Sequence, residues 1–248
     1  MLSNKNFFDA LADNYDQMIS FKDALERREK VIQQIIYPEM KSAADLGCGT
    51  GIDSIALTKL GLKVDGFDPS EEMIKKAKKN AEAEGVKSDF YIYPIDKVPD
   101  DFNNKYDLII SLGNTFANVE RRLFERSIEK CYEMMNNGGV LVIHILNYNK
   151  IIKEQNRIVN ITQSKDRYFI RFYDFGKDDI NFNILSFNKV QPTEHNIITT
   201  KLFPYVKDDF EQSMKLAGFT SLKFGLNLKS DHFDIRTSKD LFIKAVKD

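Results

Sequence analysis

Cysteine and histidine are scarce in this chain of 248 residues, with two of the first and three of the second. Cys48 and Cys131 stand at no metal-binding spacing and are too few for a disulfide framework, which fits a reducing compartment. His144, His195 and His232 share neither a helix face nor a ligand spacing, so no metal centre is expected. Charge of one sign is also missing: 36 basic side chains face 37 acidic ones, for a net charge of -1. That balance lacks the basic excess of a nucleic-acid binder, and the Lys75-Lys76, Lys78-Lys79 run reads as a solvent-facing stripe. The opening MLSNKNFFDALADNYD has no charged n-region followed by a long apolar run. Neither a signal peptide nor a transmembrane span is predicted, and the expected location is cytoplasmic. Internal repeats and low-complexity linkers are absent too.

What the chain does have is 42% hydrophobic residues, enough for a sizeable core, arranged with two periodicities. Phe7, Phe8, Leu11, Tyr15 and Met18 recur at helical spacing, and a second helical pattern runs from Leu25 to Ile36. Strand and helix then alternate. Strands are predicted at 42–46, 63–67, 89–93, 106–112 and 140–145, with helices over 52–60, from 70 toward Gly85, and over 120–135. The segment Asn136-Asn137-Gly138-Gly139 reads as a helix stop. This alternation predicts a Rossmann-like α/β fold: a seven-stranded, mostly parallel sheet with helices on both faces and an antiparallel last strand. After Tyr148 the rhythm changes. Runs at 167–173, 181–190 and 196–202 predict an inserted antiparallel β patch, followed by a helix over 208–216 and strands near 221–226 and 240–246. The expected organisation is one domain over 1–248: a helical cap (1–38), a ligand-binding core (39–148), inserted strands forming a lid (149–206) and completion of the sheet (207–248).

The heptapeptide Asp45-Leu46-Gly47-Cys48-Gly49-Thr50-Gly51 follows the first strand and opens a helix, and Asp68 ends the next strand. Glycines at alternate positions let a bare backbone approach a ligand, and the downstream carboxylate can accept hydrogen bonds from a ribose. The spacing is G-x-G-x-G, with Ile52 where the dinucleotide fingerprint needs glycine, and Asp53 in the first helical turn would repel a diphosphate. There is no G-K-[ST] ending for a nucleoside triphosphate. S-adenosylmethionine fits better, having an adenosine, no phosphate and a cationic sulfonium. Asp45 is placed to orient the loop or to reach the ammonium of the methionine, Asp68 to accept both ribose hydroxyls, Asp96 to meet the adenine amino group and Ile95 to lie against the ring.

In order along the chain, DLGCGTG (45–51), GFDPSEEMIKKA (66–77), YDLIISLGNTFANV (106–119) and NNGGVLVIHILNY (136–148) resemble the class I S-adenosylmethionine-dependent methyltransferases. GCGTGIDSIAL and LGNTFANV, with the Asn147-Tyr148 pair, resemble the glycine N-methyltransferases and related small-molecule N-methyltransferases. The resemblance implies a cofactor site at Tyr15, Asp45, Gly47, Cys48, Gly49, Gly51, Asp68, Ile95, Asp96, Leu112 and Thr115, with Asn114 and Tyr148 serving catalysis. It implies S-adenosylmethionine as cofactor, S-adenosylhomocysteine as product, and no metal. Asn118 stands where that family often has histidine. By the same resemblance a basic residue among Lys22, Arg27 and Arg28 meets the methionine carboxylate. One departure bears on the substrate: the family's arginine before Asn-Tyr, which clamps a carboxylate, is Leu146 here. Glycine is then a poor fit unless Arg167 or Arg171 takes over. The aromatic residues of the insertion, Phe172, Tyr173, Phe175, Phe182 and Phe187, with Tyr205, can cover an acceptor or simply pack. The expected activity is methyl transfer to a small-molecule N- or O-nucleophile. The alternatives are an RNA or protein methyltransferase, or a non-catalytic cofactor-binding protein. The RNA and protein reading is opposed by the charge balance and by LGNT standing where such enzymes carry N/D-P-P-Y.

Overall fold

The structure, a computed structural model, describes residues 2–164 and 166–248, the side chains of 13–19 excepted. Helices α1 (Asn4–Ile19) and α2 (Phe21–Ile32) come first. The alternating core follows: β1 (Ser42–Leu46), α3 (Ile52–Lys59), β2 (Lys63–Phe67), α4 (Glu71–Ala83), β3 (Asp89–Tyr91), β4 (Tyr106–Ser111), α5 (Arg121–Met134) and β5 (Met135–Leu146). Then come α6 (Tyr148–Glu154), β6 (Ile158–Gln163), β7 (Arg167–Phe175), β8 (Ile180–Asn188), β9 (His195–Leu202), α7 (Lys207–Ala217), β10 (Ser221–Gly225) and β11 (Asp240–Val246).

Seven strands form one sheet in the order β10-β11-β5-β4-β1-β2-β3. All pairings are parallel except those of β11, which runs antiparallel to both β5 and β10. The central strand β4 is buried on both faces: Leu108, Ile109 and Ile110 have no exposed surface. One face is covered by α2, α3 and α4 through Leu25, Ile55, Leu57, Ile74 and Ala77. The other is covered by α5 and α7 through Phe124, Ile128, Phe210 and Met214. The predicted sheet, its reversed last strand and the inserted patch are all present. Among the described residues no helix is long and apolar enough to cross a membrane.

Three local expectations need revision. Strand β5 begins at Met135, not Val140; the Asn-Asn-Gly-Gly stop is drawn into the sheet's foot, where Gly138 N–H donates to Lys247 O and Lys247 N–H to Gly139 O. Helix α6 is seven residues long, too short to show a period, and its N-cap is the Asn147 side chain. Strand β6 adds a fourth member to the insertion, ordered β6-β7-β8-β9. It is an edge strand whose Ile158, Val159 and Ile161 are exposed, so no buried face imposed alternation on its sequence.

The small sheet is held to the core by α1. Phe7, Leu11 and Ala12 pack with Phe169 and Ile184 of the small sheet and with Met73 of α4. Asp9 of α1 accepts a hydrogen bond from the Ser70 hydroxyl, which also caps α4. Leu2 N–H donates to Thr199 O of β9. These links bring the start of the chain over the carboxyl ends of β1, β2 and β4.

Candidate active site

The three loop glycines all have positive φ, 77° at Gly47, 53° at Gly49 and 86° at Gly51, but each serves a different need. A Cβ on Gly47 would lie 2.2 Å from Thr115 Cγ2, so this glycine admits the loop after β4. A Cβ on Gly51 would meet Ala77 at 3.0 Å and Phe90 at 3.2 Å, so this one admits α4 and β3. A Cβ on Gly49 would meet nothing within 4 Å. Only there does bare backbone face open space. The loop is tied to β2 by the N–H groups of Gly47 and Cys48, both donating to Phe67 O.

Asp68 is the fixed anion of the site. Its two oxygens accept from Gly49 N–H at 3.0 Å and Ser70 N–H at 2.9 Å, and the residue is 8% exposed. Burial raises its carboxyl to about 6, against the lowering effect of those two donors. It therefore stays largely ionised at neutral pH, with lone pairs left on both oxygens. Asp45 lies beneath the loop and accepts a hydrogen bond from the Ser54 hydroxyl at 2.7 Å. Burial, and then the charge of Asp53, push its carboxyl up. Asp53, in the first turn of α3, pairs with Arg28 of α2 at 3.1 Å. Burial also raises the Cys48 thiol well above its usual value, and the Asp68 and Asp45 charges add to this. A thiol so held is not a nucleophile at neutral pH.

These groups border a cavity of about 870 Å³ at the carboxyl ends of the parallel strands. Gly47, Cys48, Gly49, Asp68, Ile95, Asp96, Leu112 and Thr115, each named from the sequence as a cofactor contact, line it. Asp45 and Gly51 do not; both act from behind the loop. Arg27 and Arg28 line it and Lys22 does not. The side chain of Tyr15 lies outside the described residues.

Asn114 and Tyr148 depart from expectation. Asn114 takes φ 71°, which turns its side chain away from the cavity. Its Oδ1 accepts from Leu146 N–H at 3.1 Å, and its Nδ2 donates to the Tyr148 hydroxyl at 2.8 Å. Tyr148 is 1% exposed, and burial holds its hydroxyl well above the usual range. In this arrangement the pair fixes the loop after β4 to the end of β5, and neither side chain lines the cavity. Arg167 and Arg171 do not line it either, so neither replaces the arginine that Leu146 displaces. His144 is held by Asp240 at 3.0 Å and stacked on Phe242, with its other ring nitrogen unpartnered.

The roof of the cavity was not foreseen. It comes from Leu2 to Lys5 and Phe8, from Val119, Glu120 and Leu123, and from Lys201 and Phe203. Asn4 stitches these parts together: its Nδ2 donates to Asn118 O and its Oδ1 accepts from the Thr200 hydroxyl. No sequence signal marks such residues, because they meet only through the packing of α1 on the small sheet. Among the described residues of the insertion, only the end of β9 and the residues after it reach the cavity. The residues present fit an adenosine carrying a cation: a buried carboxylate beside open backbone, with apolar Ile95 and Leu112 and the acidic Asp96 on the same lining.

Known proteins resemble this chain in sequence and in fold. A family model described as a methyltransferase domain matches residues 43–139. The glycine/sarcosine/dimethylglycine N-methyltransferase of Actinopolyspora halophila is 26% identical over 216 residues, 84% of this chain and 36% of that protein. The glycine N-methyltransferase of Homo sapiens is 35% identical over 125 residues, 44% of this chain and 41% of that protein. The matches therefore span well under half the length of these curated relatives. The CcbJ methyltransferase of Streptomyces caelestis shares the fold, with a TM-score of 0.79 over 98% of both chains at 15% identity. The family match thus falls on the segment that carries the glycine loop, and the fold over the whole length is that of solved methyltransferases.

Proposed function

We propose that this chain binds S-adenosylmethionine and transfers its methyl group to a small-molecule acceptor with a nitrogen or oxygen nucleophile. The observation that carries the reading is the Asp68 carboxylate, clamped by Gly49 and Ser70 amides beside the one loop glycine that faces open space. Asp68 would accept the ribose hydroxyls, Ile95 and Asp96 would receive the adenine, and Arg27, beside the Arg28–Asp53 pair, would meet the methionine carboxylate. Bound there, the cofactor supplies a methyl carbon already activated by the adjoining sulfonium.

The protein's own work is alignment and exclusion of water. The loop over 112–115 is held against Gly47, and Thr115 donates to Leu112 O at 2.9 Å, which fixes one wall. Asn114 and Tyr148 act as positioning residues that hold this wall to β5. Leu2, Phe8, Val119, Leu123 and Phe203 give the acceptor end an apolar surround, which favours a desolvated nucleophile. Holding two reactants in line can supply up to roughly 7–11 kcal/mol of the barrier. The names of the curated relatives, which methylate glycine and sarcosine, support a small amine acceptor; Leu146 argues against glycine itself. Residues 149–206 serve as a roof mainly by anchoring the start of the chain.

Calorimetry tests the reading. Both S-adenosylmethionine and S-adenosylhomocysteine are expected to bind, and Asp68→Ala to weaken each by at least about tenfold. Wild-type affinity in that variant would remove Asp68 from the site. A screen of amine, hydroxyl and carboxylate acceptors with methyl-labelled cofactor then identifies the substrate class.

A further inference from the structure

The small sheet is apolar on both faces, and α1 covers one of them. Side chains opposite each other on paired strands share a face, and neighbours along a strand point to opposite faces. Phe169 and Ile184 belong to the inner face, which packs on α1. The outer face carries a row of four paired residues: Ile161 of β6, Ile170 of β7, Leu185 of β8 and Ile197 of β9. Tyr168 and Phe187 pair beside this row, with ring centroids 5.5 Å apart, and Phe172 pairs with Ile158 on its other side. Exposure is high for such residues. Ile161 is 62% exposed, Ile158 58%, Ile197 53% and Tyr168 36%, while Ile170, Phe172, Leu185 and Phe187 are only partly buried.

A strand with one face in water alternates apolar and polar residues. Strand β7 does not: Tyr168-Phe169-Ile170 and Phe172-Tyr173 put apolar groups on both sides, the pattern of a strand covered twice. Over these rows the outer positions hold no Asp, Glu, Lys or Arg, and the groups framing them are Gln163, Asn183, His195 and Thr199. The next outer position of β7 is Asp174, already paired with Arg157. The face therefore offers no unpaired charge to an acidic or basic partner, and no basic cluster to an anionic membrane. A second copy of this chain meets it like for like, apolar on apolar, with no repulsion across a two-fold axis. The size also fits. The exposed apolar surface is on the order of 500 Å², high for a monomer, and the framing residues bring it toward the ~800 Å² per partner of a stable interface.

We propose that the outer face of the β6-β7-β8-β9 sheet is the interface of a two-fold dimer of this chain. Two such faces stack as a sandwich, with Ile170 and Leu185 at the centre and the β6 and β9 ends of the row at the rim. The inner face of the same strands holds α1, and with it the roof of the cavity, so the dimer braces the candidate site from behind. The inference goes beyond the proposed reaction and does not depend on the cofactor.

Sedimentation of the full chain without ligand tests it, so a failure of the cofactor reading leaves the result untouched. Wild type is expected to run as a dimer at micromolar concentration. Leu185→Lys places a charge at the centre of the interface in each copy and should weaken the dimer at least about 100-fold. Leu185→Met keeps the volume and should weaken it less than about tenfold. Ile197→Glu alters a position already half exposed within one copy, so it serves even where the lysine variant fails to fold; it should weaken the dimer at least about tenfold. Leu216→Lys, on the exposed side of α7, should change nothing. A wild-type chain that stays monomeric leaves the face to a different partner and overturns the inference. A dimer that both Leu185→Lys and Ile197→Glu leave intact uses another surface and overturns it equally.

Discussion

At Asn114 one side chain closes two accounts that the local backbone leaves open. Its amide satisfies Leu146 N–H and the buried Tyr148 hydroxyl, and its φ of 71° lies where asparagine is tolerated and alanine is strained. Asn114→Ala loses both bonds and adds backbone strain, whereas Asn114→Gly loses only the bonds. Each buried polar group left unpaired costs about 1–3 kcal/mol. Both variants should melt below wild type, with the alanine form lower, and transfer should fall more than cofactor affinity does; an alanine form as stable as the glycine form would count against the strain. Asp45 supports a second prediction. Burial raises its folded carboxyl above the ordinary 3.8, so the ligand-free native state holds a proton that the unfolded chain gives up. The contribution of Asp45 to stability is therefore largest near pH 4 and falls as pH rises through the folded value. Asp45→Asn cannot ionise. The melting temperatures of the two proteins should coincide near pH 4, and the variant should melt at least about 2 °C higher at pH 8. A gap independent of pH would reject the shift.

Among the elements, the turn from β1 into α3 and the loop after β4 form one unit, because Gly47 and Thr115 share a space that admits a single side chain. Gly47→Ala drives a methyl to 2.2 Å from Thr115 Cγ2 at a φ of 77°, and should abolish ligand binding or folding. Thr115→Ala removes both the Cγ2 and the hydroxyl that would collide. The double variant should regain part of the lost melting temperature; failure to regain any would mean that backbone strain alone governs. Sequence reading assigned both halves to one cofactor site because each is a motif with fixed spacing, and it assigned Ile95 and Asp96 from their place after the third strand; it did not join Gly47 to Thr115. It did not separate the roles of Gly47, Gly49 and Gly51, which depend on what lies opposite each. It turned Asn114 toward the substrate because a motif gives identity and order but not the direction of a side chain. It passed over β6 and α6 because an exposed edge strand and a helix of two turns carry no periodic apolar face.

The whole molecule places its candidate site between a rigid floor and a roof with a much smaller anchor. The floor is the seven-stranded sheet, whose central residues have no exposed surface. The start of the chain, which supplies Leu2 to Lys5, is held by the satellite cluster of Phe7, Leu11, Ala12, Met73, Phe169 and Ile184. Stability is then uneven, and the roof should open without the floor. Phe7 is fully buried against Phe8 and Phe182, and Phe7→Ala removes a contribution of about 3–5 kcal/mol, more than so small a cluster can lose and stay closed. Hydrogen exchange should accelerate across α1 and β9 while β4 and β5 keep their wild-type protection. Affinity for S-adenosylhomocysteine should fall with it, because the open roof must be closed again before the ligand is enclosed. Ile161→Ala, on the exposed face of β6, should change stability by no more than about 0.5 kcal/mol and leave affinity unaltered. Faster exchange in β4 and β5 of the Phe7 variant, matching that in α1, would show that roof and floor unfold as one body.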